Sequence, residues 1–263
     1  MKLNEIDQGK SFDWGRTSCD YAKYRDIYPA DFYEKIIEKG LCTKGQHVLD
    51  LGTGTGVLPR NMYKFGAKFW GADISPNQIG EARRLSKEAL MDIEYLVAKA
   101  EEIDFPPAFF DAVTAVQCFW YFDKAVLLPK IHKMLKDDGY FLILSMSWLP
   151  GESEIAANSE KLVLKYNPYW SGQEVKRHPI ENPDPDGDYF HSDIIETFDL
   201  NVPFTRESWH GRLKACRGIG ASSLPASVIA KWEEEHLEYV STLPEAFEII
   251  HYATILGLKK RDQ

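Results

Sequence analysis

The chain has 263 residues, enough to bury a full hydrophobic core as one large domain or as one domain carrying an appended cap. Its formal net charge of −9 argues against a sequence-independent nucleic-acid binder, which needs a basic face, and against attraction to an anionic membrane. The four cysteines (Cys19, Cys42, Cys118 and Cys216) are far apart and show no C-x-x-C pair or Cys/His ligand spacing, so they read as buried or incidental thiols and no metal site is expected.

The N-terminal stretch MKLNEIDQGKSFDWG lacks the apolar core of a secretory signal. The longest apolar run, around Tyr140 to Leu149, falls well short of the ~20 residues that cross a bilayer. A cytoplasmic protein without membrane or nucleic-acid partners is therefore expected. Its oligomeric state is left open.

Aromatic and apolar residues at helical spacing over 17–39, interrupted at Pro29, predict two short helices. GQHVLDLG predicts a first strand, followed by a helix from Val57 to Phe65. AKFWGADIS is a second strand, after which Ser75 and Pro76 open a helix that runs to about Leu90. IEYLVAKA and FDAVTAVQ are strands three and four, separated by a turn at Pro106-Pro107. KAVLLPKIHKMLK predicts a helix stopped by Asp137-Asp138-Gly139, and GYFLILSMSW the fifth strand. Residues 149–190 read as partly helical and partly irregular. SDIIETFDLNVPF is a sixth strand, 206–218 and 225–241 are helical, and FEIIHYATILGLKK is a final strand.

Strands alternating with helices predict an α/β fold. It is a doubly wound, Rossmann-like, seven-stranded sheet, mostly parallel with the last strand antiparallel, plus N-terminal helices and a cap insertion. The expected divisions are an N-terminal helical lid at 1–45, a cofactor-binding core at 46–148, a cap at 149–245 that includes the sixth strand, and the final core strand at 246–263.

The stretch VLDLGTGTG (Val48 to Gly56) carries the cofactor question. A dinucleotide fingerprint needs G-x-G-x-x-G, but the third position is Val57 counted from Gly52 and Pro59 counted from Gly54. What stands here is an acid, Asp50, then Gly52, Gly54 and Gly56. This run resembles motif I of the class I S-adenosylmethionine-dependent methyltransferases. The physics is compatible: that cofactor has no pyrophosphate to neutralise, and its ammonium suits a carboxylate at Asp50. Backbone without Cβ atoms at Gly52, Gly54 and Gly56 can lie close to a ligand. Thr53 is counted with the loop that does so.

Four more stretches are similar to the same family, in its small-molecule, type 11, trans-aconitate methyltransferase-like subgroup. DISPNQIGEAR is similar to its D-x-S-x-x-x-x-x-A-R run. The resemblance implies that Asp73 grips both ribose hydroxyls, that Ile74 packs on the adenine, and that Gln78 lies one turn into the helix. AKAEEIDFPPAFFDAV resembles G-D-A-E-x-L-P-F followed by F-D-x-V, which puts Ala100 and Glu101 at the adenine edge, although Lys99 stands where an Asp is usual. AVQCFWYFD is similar to A-x-E-x-x-H-W-F-D, with Gln117 toward the methionine portion and Trp120 in the histidine's place, which removes a ready-made base. DYAKYRDIYP resembles Y-A-x-Y-R-P-x-Y-P, in which Tyr21 and Arg25 reach the methionine end.

The implied activity is methyl transfer from S-adenosylmethionine to a small-molecule acceptor through oxygen, nitrogen, sulfur or carboxylate. Trp14, Trp120, Trp209 and Arg212 are candidate acceptor contacts, and no catalytic base is assigned. His178, His191 and His210 are the histidines weighed for that role. Two other readings stand beside this one: an NAD(P)-dependent oxidoreductase, and a non-catalytic S-adenosylmethionine-binding protein of the same fold.

Overall fold

A computed structural model describes residues 1 and 3–261. Packing divides the chain into two compact units. One comprises Met1–Ile27, Ser147–His178 and Asp199–Tyr252. The other comprises Tyr28–Met146, Pro179–Phe198 and the chain from Ala253 onward, and is called the sheet unit below.

The elements follow the expected order: α1 (Ser18–Tyr24), α2 (Ala30–Glu38), β1 (His47–Leu51), α3 (Val57–Met62), β2 (Lys68–Asp73), α4 (Pro76–Glu88), β3 (Glu94–Val97), β4 (Phe110–Val116), α5 (Lys124–Met134), β5 (Leu135–Trp148), α6 (Glu154–Tyr166), β6 (Phe190–Thr205), α7 (Arg206–Lys214), α8 (Ala226–Ser241) and β7 (Ala246–Lys260). The seven strands bond in the order β3-β2-β1-β4-β5-β7-β6. The pairs β1–β2, β1–β4, β2–β3 and β4–β5 are parallel.

The direction of β7 follows from its cross-strand pairs. Within the sheet unit, Ser145 pairs with Thr254 at 2.6 Å, and the Arg261 N–H donates to the Tyr189 carbonyl at 2.9 Å. Within the other unit, the Leu149 N–H donates to the Ile250 carbonyl at 3.2 Å, and Arg206 N–H to the Glu245 carbonyl at 3.3 Å. Numbers that rise on β5 or β6 fall on β7, so β7 runs antiparallel to both.

The sheet unit is built on apolar strands. Leu49, Leu51, Val113, Ala115 and Phe141 are buried in one cluster with Leu127 and Ile131 of α5. Ser75 caps α4 by accepting the Gln78 N–H, and Pro76 sits where its missing N–H costs nothing. Asp123 caps α5 in the same way.

One expectation is corrected. Helix α5 ends at Met134, and Asp137-Asp138-Gly139 lies inside β5. Between the pairs Phe110–Leu135 and Ala112–Tyr140 the register shifts, so this turn-like triplet bulges out of a strand instead of ending a helix. Residues 28–45, expected in the lid, pack with the sheet unit: Phe32 and Ile36 are buried there, and Lys35 and Lys39 reach Glu196 of β6 at 3.0 and 2.7 Å. Residues 179–198, expected in the cap, belong to the same unit.

The other unit holds α1, α6, α7 and α8. Trp209 and Trp232 are among its fully buried side chains. The buried Asp7 pairs with Arg217 and accepts from the Ser171 N–H at 2.8 Å, which ties the N-terminal segment to the chain beyond α6 and α7.

Candidate cofactor site

Three strands of the sheet unit end together and deliver the predicted loop residues. After β1 the chain turns through Gly52, Gly54 and Gly56, all with left-handed φ, of 62°, 56° and 73°. At two of these positions the need for glycine is internal. A Cβ on Gly52 would lie 2.8 Å from Cys118 Sγ, and one on Gly56 would lie 2.9 Å from Tyr95 Cζ and closer still to its hydroxyl. The buried Thr53 anchors the loop, its N–H donating to the Ala72 carbonyl of β2 at 2.9 Å.

Asp73 ends β2 and faces this loop. Its Oδ2 accepts the Gly54 N–H at 3.0 Å and its Oδ1 accepts the Ser75 N–H at 2.8 Å. Each carboxylate oxygen offers two lone-pair directions, so one on each remains for ligand hydroxyls. Burial raises the Asp73 pKa, and the two backbone donors oppose the rise.

Asp50, expected to help hold the cofactor's ammonium directly or through water, sits behind the loop. It is only 2% exposed, and its Oδ1 accepts from Thr114 Oγ1 of β4 at 2.6 Å. Burial pushes its pKa up to about 7, and the Asp73 charge adds to the rise. The Thr114 and Thr53 hydroxyls pull the other way. The carboxylate therefore lies behind the loop rather than at its surface.

Ile74, next after Asp73, leaves nearly half of its side chain exposed at 46%. Gln78 is buried one turn into α4, its N–H on Ser75 Oγ. Ala100 is buried at the head of a short 3-10 turn after β3. Glu101 is used by the protein itself, since its Oε1 accepts the Asp123 N–H at 2.8 Å at the start of α5. Lys99 pairs with Glu102 at 2.8 Å. Gln117, just past β4, adopts a φ of 58°, and its side-chain amide donates to the Met146 carbonyl. Trp120 follows on the 3-10 turn Phe119–Tyr121 and is 49% exposed.

In the other unit, Trp14, Tyr21 and Arg25 form one cluster. The Arg25 guanidinium lies 4.4 Å from the Tyr21 ring centre and 5.3 Å from that of Trp14, and the two rings meet edge-on at 5.8 Å. Arg25 and Arg212 both donate to Cys216 Sγ, at 3.4 and 2.9 Å, and Arg212 covers the Trp148 ring at 4.9 Å. Trp209 is a core residue here: it is fully buried, packs edge-on against Trp148 and Phe204, and donates its indole N–H to Ser159 at 2.9 Å. Its burial leaves no surface for an acceptor, so it drops out of that set.

Sequence reasoning missed Thr114, Tyr95 and Cys118. Thr114 had a visible signal, a lone hydroxyl within the apolar run FDAVTAV. Tyr95 and Cys118 had none, because their roles are set by packing on Gly56 and Gly52.

Residues 49–143 match the family described as "Methyltransferase domain". The chain is 28% identical over 137 residues to a ubiquinone biosynthesis O-methyltransferase of Bradyrhizobium diazoefficiens, a match covering 52% of this chain and 54% of that protein. It is 33% identical over 113 residues to a demethylmenaquinone methyltransferase of Thermus thermophilus, covering 42% and 51%. The chain thus spans about half the length of these curated relatives. The fold is shared with a Haemonchus contortus phosphoethanolamine N-methyltransferase solved with S-adenosylhomocysteine, with a TM-score of 0.53 and 19% identity over 93% of this chain and 58% of that one. The segment that carries the glycine loop, Asp73 and β4 is thus the part of the chain that is similar to a methyltransferase domain, in line with the resemblance of its motifs to the class I, S-adenosylmethionine-dependent family.

Proposed function

We propose that this protein transfers the methyl group of S-adenosylmethionine to a small-molecule acceptor. The observation that carries the reading is Asp73: a carboxylate at the end of β2, oriented by two backbone donors, with one lone-pair direction per oxygen left for vicinal hydroxyls. The exposed Ile74 supplies an apolar surface beside it for a purine. Asp50 contributes negative potential from behind the loop, which favours a ligand bearing ammonium and sulfonium charges.

When bound, the cofactor supplies an electrophilic methyl group whose leaving sulfur departs neutral, so no acid is needed for it. The protein's tasks are to align the acceptor and exclude water. Gln117 has its amide committed to the Met146 carbonyl, so it serves as a fixed wall and not as a base. Trp120 offers an exposed aromatic face that suits a cationic or planar partner. The cluster of Trp14, Tyr21 and Arg25 is assigned to ligand recognition, with Arg25 for a carboxylate. The roles of lid for 1–45 and cap for 149–245 belong to the same proposal, as does a cytoplasmic location; among the described residues no helix is long and apolar enough to cross a membrane.

The named activities of the two relatives make quinols the first acceptors to try. The test is calorimetry with S-adenosylhomocysteine, NAD and NADP, followed by S-adenosylhomocysteine release across a panel of quinols, phenols, amines, thiols and carboxylates. Saturable binding of the sulfur nucleoside alone, with turnover on one acceptor class, supports the proposal. Binding of NAD or NADP instead overturns it, and binding without turnover on any class points to the non-catalytic reading.

A further inference from the structure

A chain of hydrogen bonds through the unit that holds α6, α7 and α8 ends on an unused donor. Trp209 Nε1 can only donate, and it donates to Ser159 Oγ at 2.9 Å. The other polar neighbour of that hydroxyl among the described residues is His236 Nε2, at 3.0 Å. The Ser159 proton therefore goes to His236 Nε2, which acts as acceptor. Burial holds His236 neutral, with its pKa lowered to about 3, so its own proton sits on Nδ1. That proton is donated to His210 Nδ1, 2.9 Å away. Burial first, and Lys214 second, keep His210 neutral as well, against the opposing pull of Glu233 and Asp20. Its single proton is thereby placed on Nε2.

His210 is only 9% exposed, and Trp232 stacks on both it and His236. Among the described residues, its Nε2 meets no hydrogen-bond partner. The ring lines a cavity of about 460 Å³ between α1, α7 and α8, and no residue of the methyltransferase domain borders it. The Nε2–H of a ring that lines such a space can donate to an acceptor atom of a ligand there.

The charges around the cavity set the rest of the ligand. Glu207 is covered by Lys23 at 2.8 Å and Glu245 by Arg206 at 3.5 Å. Lys214 binds Glu233 closely, at 2.6 Å, and reaches Asp20 only at 3.9 Å. The uncompensated charge is therefore negative and lies on Asp20, beside His210. Leu237 and Val240 give the opposite wall an apolar character.

We propose that this cavity is a second binding site, for a small organic ammonium ion of the amino-alcohol class. Its ammonium pairs with Asp20, its oxygen accepts from His210 Nε2–H, and its carbon chain lies on Leu237 and Val240. The site does not depend on the methyl-transfer reading.

The experiment titrates the full chain with 2-aminoethanol, propylamine and acetate at constant ionic strength. The readouts are Trp232 fluorescence and the nitrogen shifts of the His210 ring. Saturable binding of 2-aminoethanol is expected with movement of Nε2. Propylamine, which lacks the oxygen, should bind about tenfold more weakly, and acetate should not bind. Asp20→Asn, on a half-exposed position that leaves the packing intact, should weaken 2-aminoethanol at least fivefold, and His210→Gln should remove its preference over propylamine. A non-saturating signal, equal response to both amines, or an Asp20→Asn protein that binds as well as the parent overturns the proposal.

Discussion

Asp73 Oδ2 accepts the Gly54 N–H at 3.0 Å, so the acid at the end of β2 and the middle glycine of the loop after β1 hold each other in place. The same carboxylate takes the Ser75 N–H at the entrance of α4. One side chain thus orients two loops and keeps lone pairs free for a ligand, which makes its removal informative.

Asp73→Ala should weaken S-adenosylhomocysteine binding by about 1–3 kcal/mol, the range for lost charge-assisted hydrogen bonds. Isothermal calorimetry reads this directly. Asp73→Asn keeps the shape but loses the charge and one acceptor oxygen, so it should fall between the parent and the alanine variant. An alanine variant with unchanged affinity would remove Asp73 from the site.

Asp50 predicts a proton release. With its pKa near 7 in the free protein, the carboxyl is about half protonated at neutral pH. A cationic ligand favours the ionised form and lowers that pKa, so binding expels part of a proton. Affinity for S-adenosylmethionine should rise from pH 6 to pH 8 by up to about tenfold. Calorimetry in buffers of different ionisation enthalpy should show the release, largest near pH 7, and Asp50→Asn should abolish it.

Much of this was legible in the sequence because period and punctuation agree. The first four strands are short apolar runs between turn residues, and Ser75-Pro76 is a helix start by both cap and proline. The triplet Asp137-Asp138-Gly139 was misread because a bulge and a helix stop use the same residues, and only the pairing with β4 distinguishes them. Among the site residues, Asp73 and the glycines could be placed because their backbone roles are local. Glu101 and Asp50 could be located but not oriented, since their partners, Asp123 and Thr114, lie 22 and 64 residues away. Trp209 had the composition of a binding residue, and only its burial places it in the core.

Gly56→Ala tests the internal reason for the third glycine. A left-handed φ of 73° costs a residue with a side chain about 1–2 kcal/mol, and the new methyl group would press on Tyr95. Overpacking adds about 1–3 kcal/mol. Denaturant unfolding should show a combined loss of roughly 2–5 kcal/mol. Adding Tyr95→Phe removes the nearest clashing atom and should recover part of that loss, even though it also gives up the bond to Ser86.

The buried histidines predict a fall in stability toward acid. Burial lowers His236 to about 3 and His251 to about 4, both below the ordinary value of 6.5. Below about pH 6.5 the unfolded chain takes up protons on these rings that the folded chain refuses, so stability is present above that pH and drains away as pH falls toward the folded values. Each ring should cost roughly 2 kcal/mol by pH 5. Asp50 has a raised pKa and works in the opposite sense over the same range, but it belongs to the sheet unit. The loss should therefore appear first in the unit that holds α8, as faster amide exchange along that helix and a change in Trp232 emission between pH 6.5 and 5. His251→Phe removes one titrating ring without touching the His210–His236 pair, and it should lessen the loss at pH 5 by roughly the 2 kcal/mol of one ring. Equal slopes in the parent and this variant would show that His251 is not one of the groups being titrated.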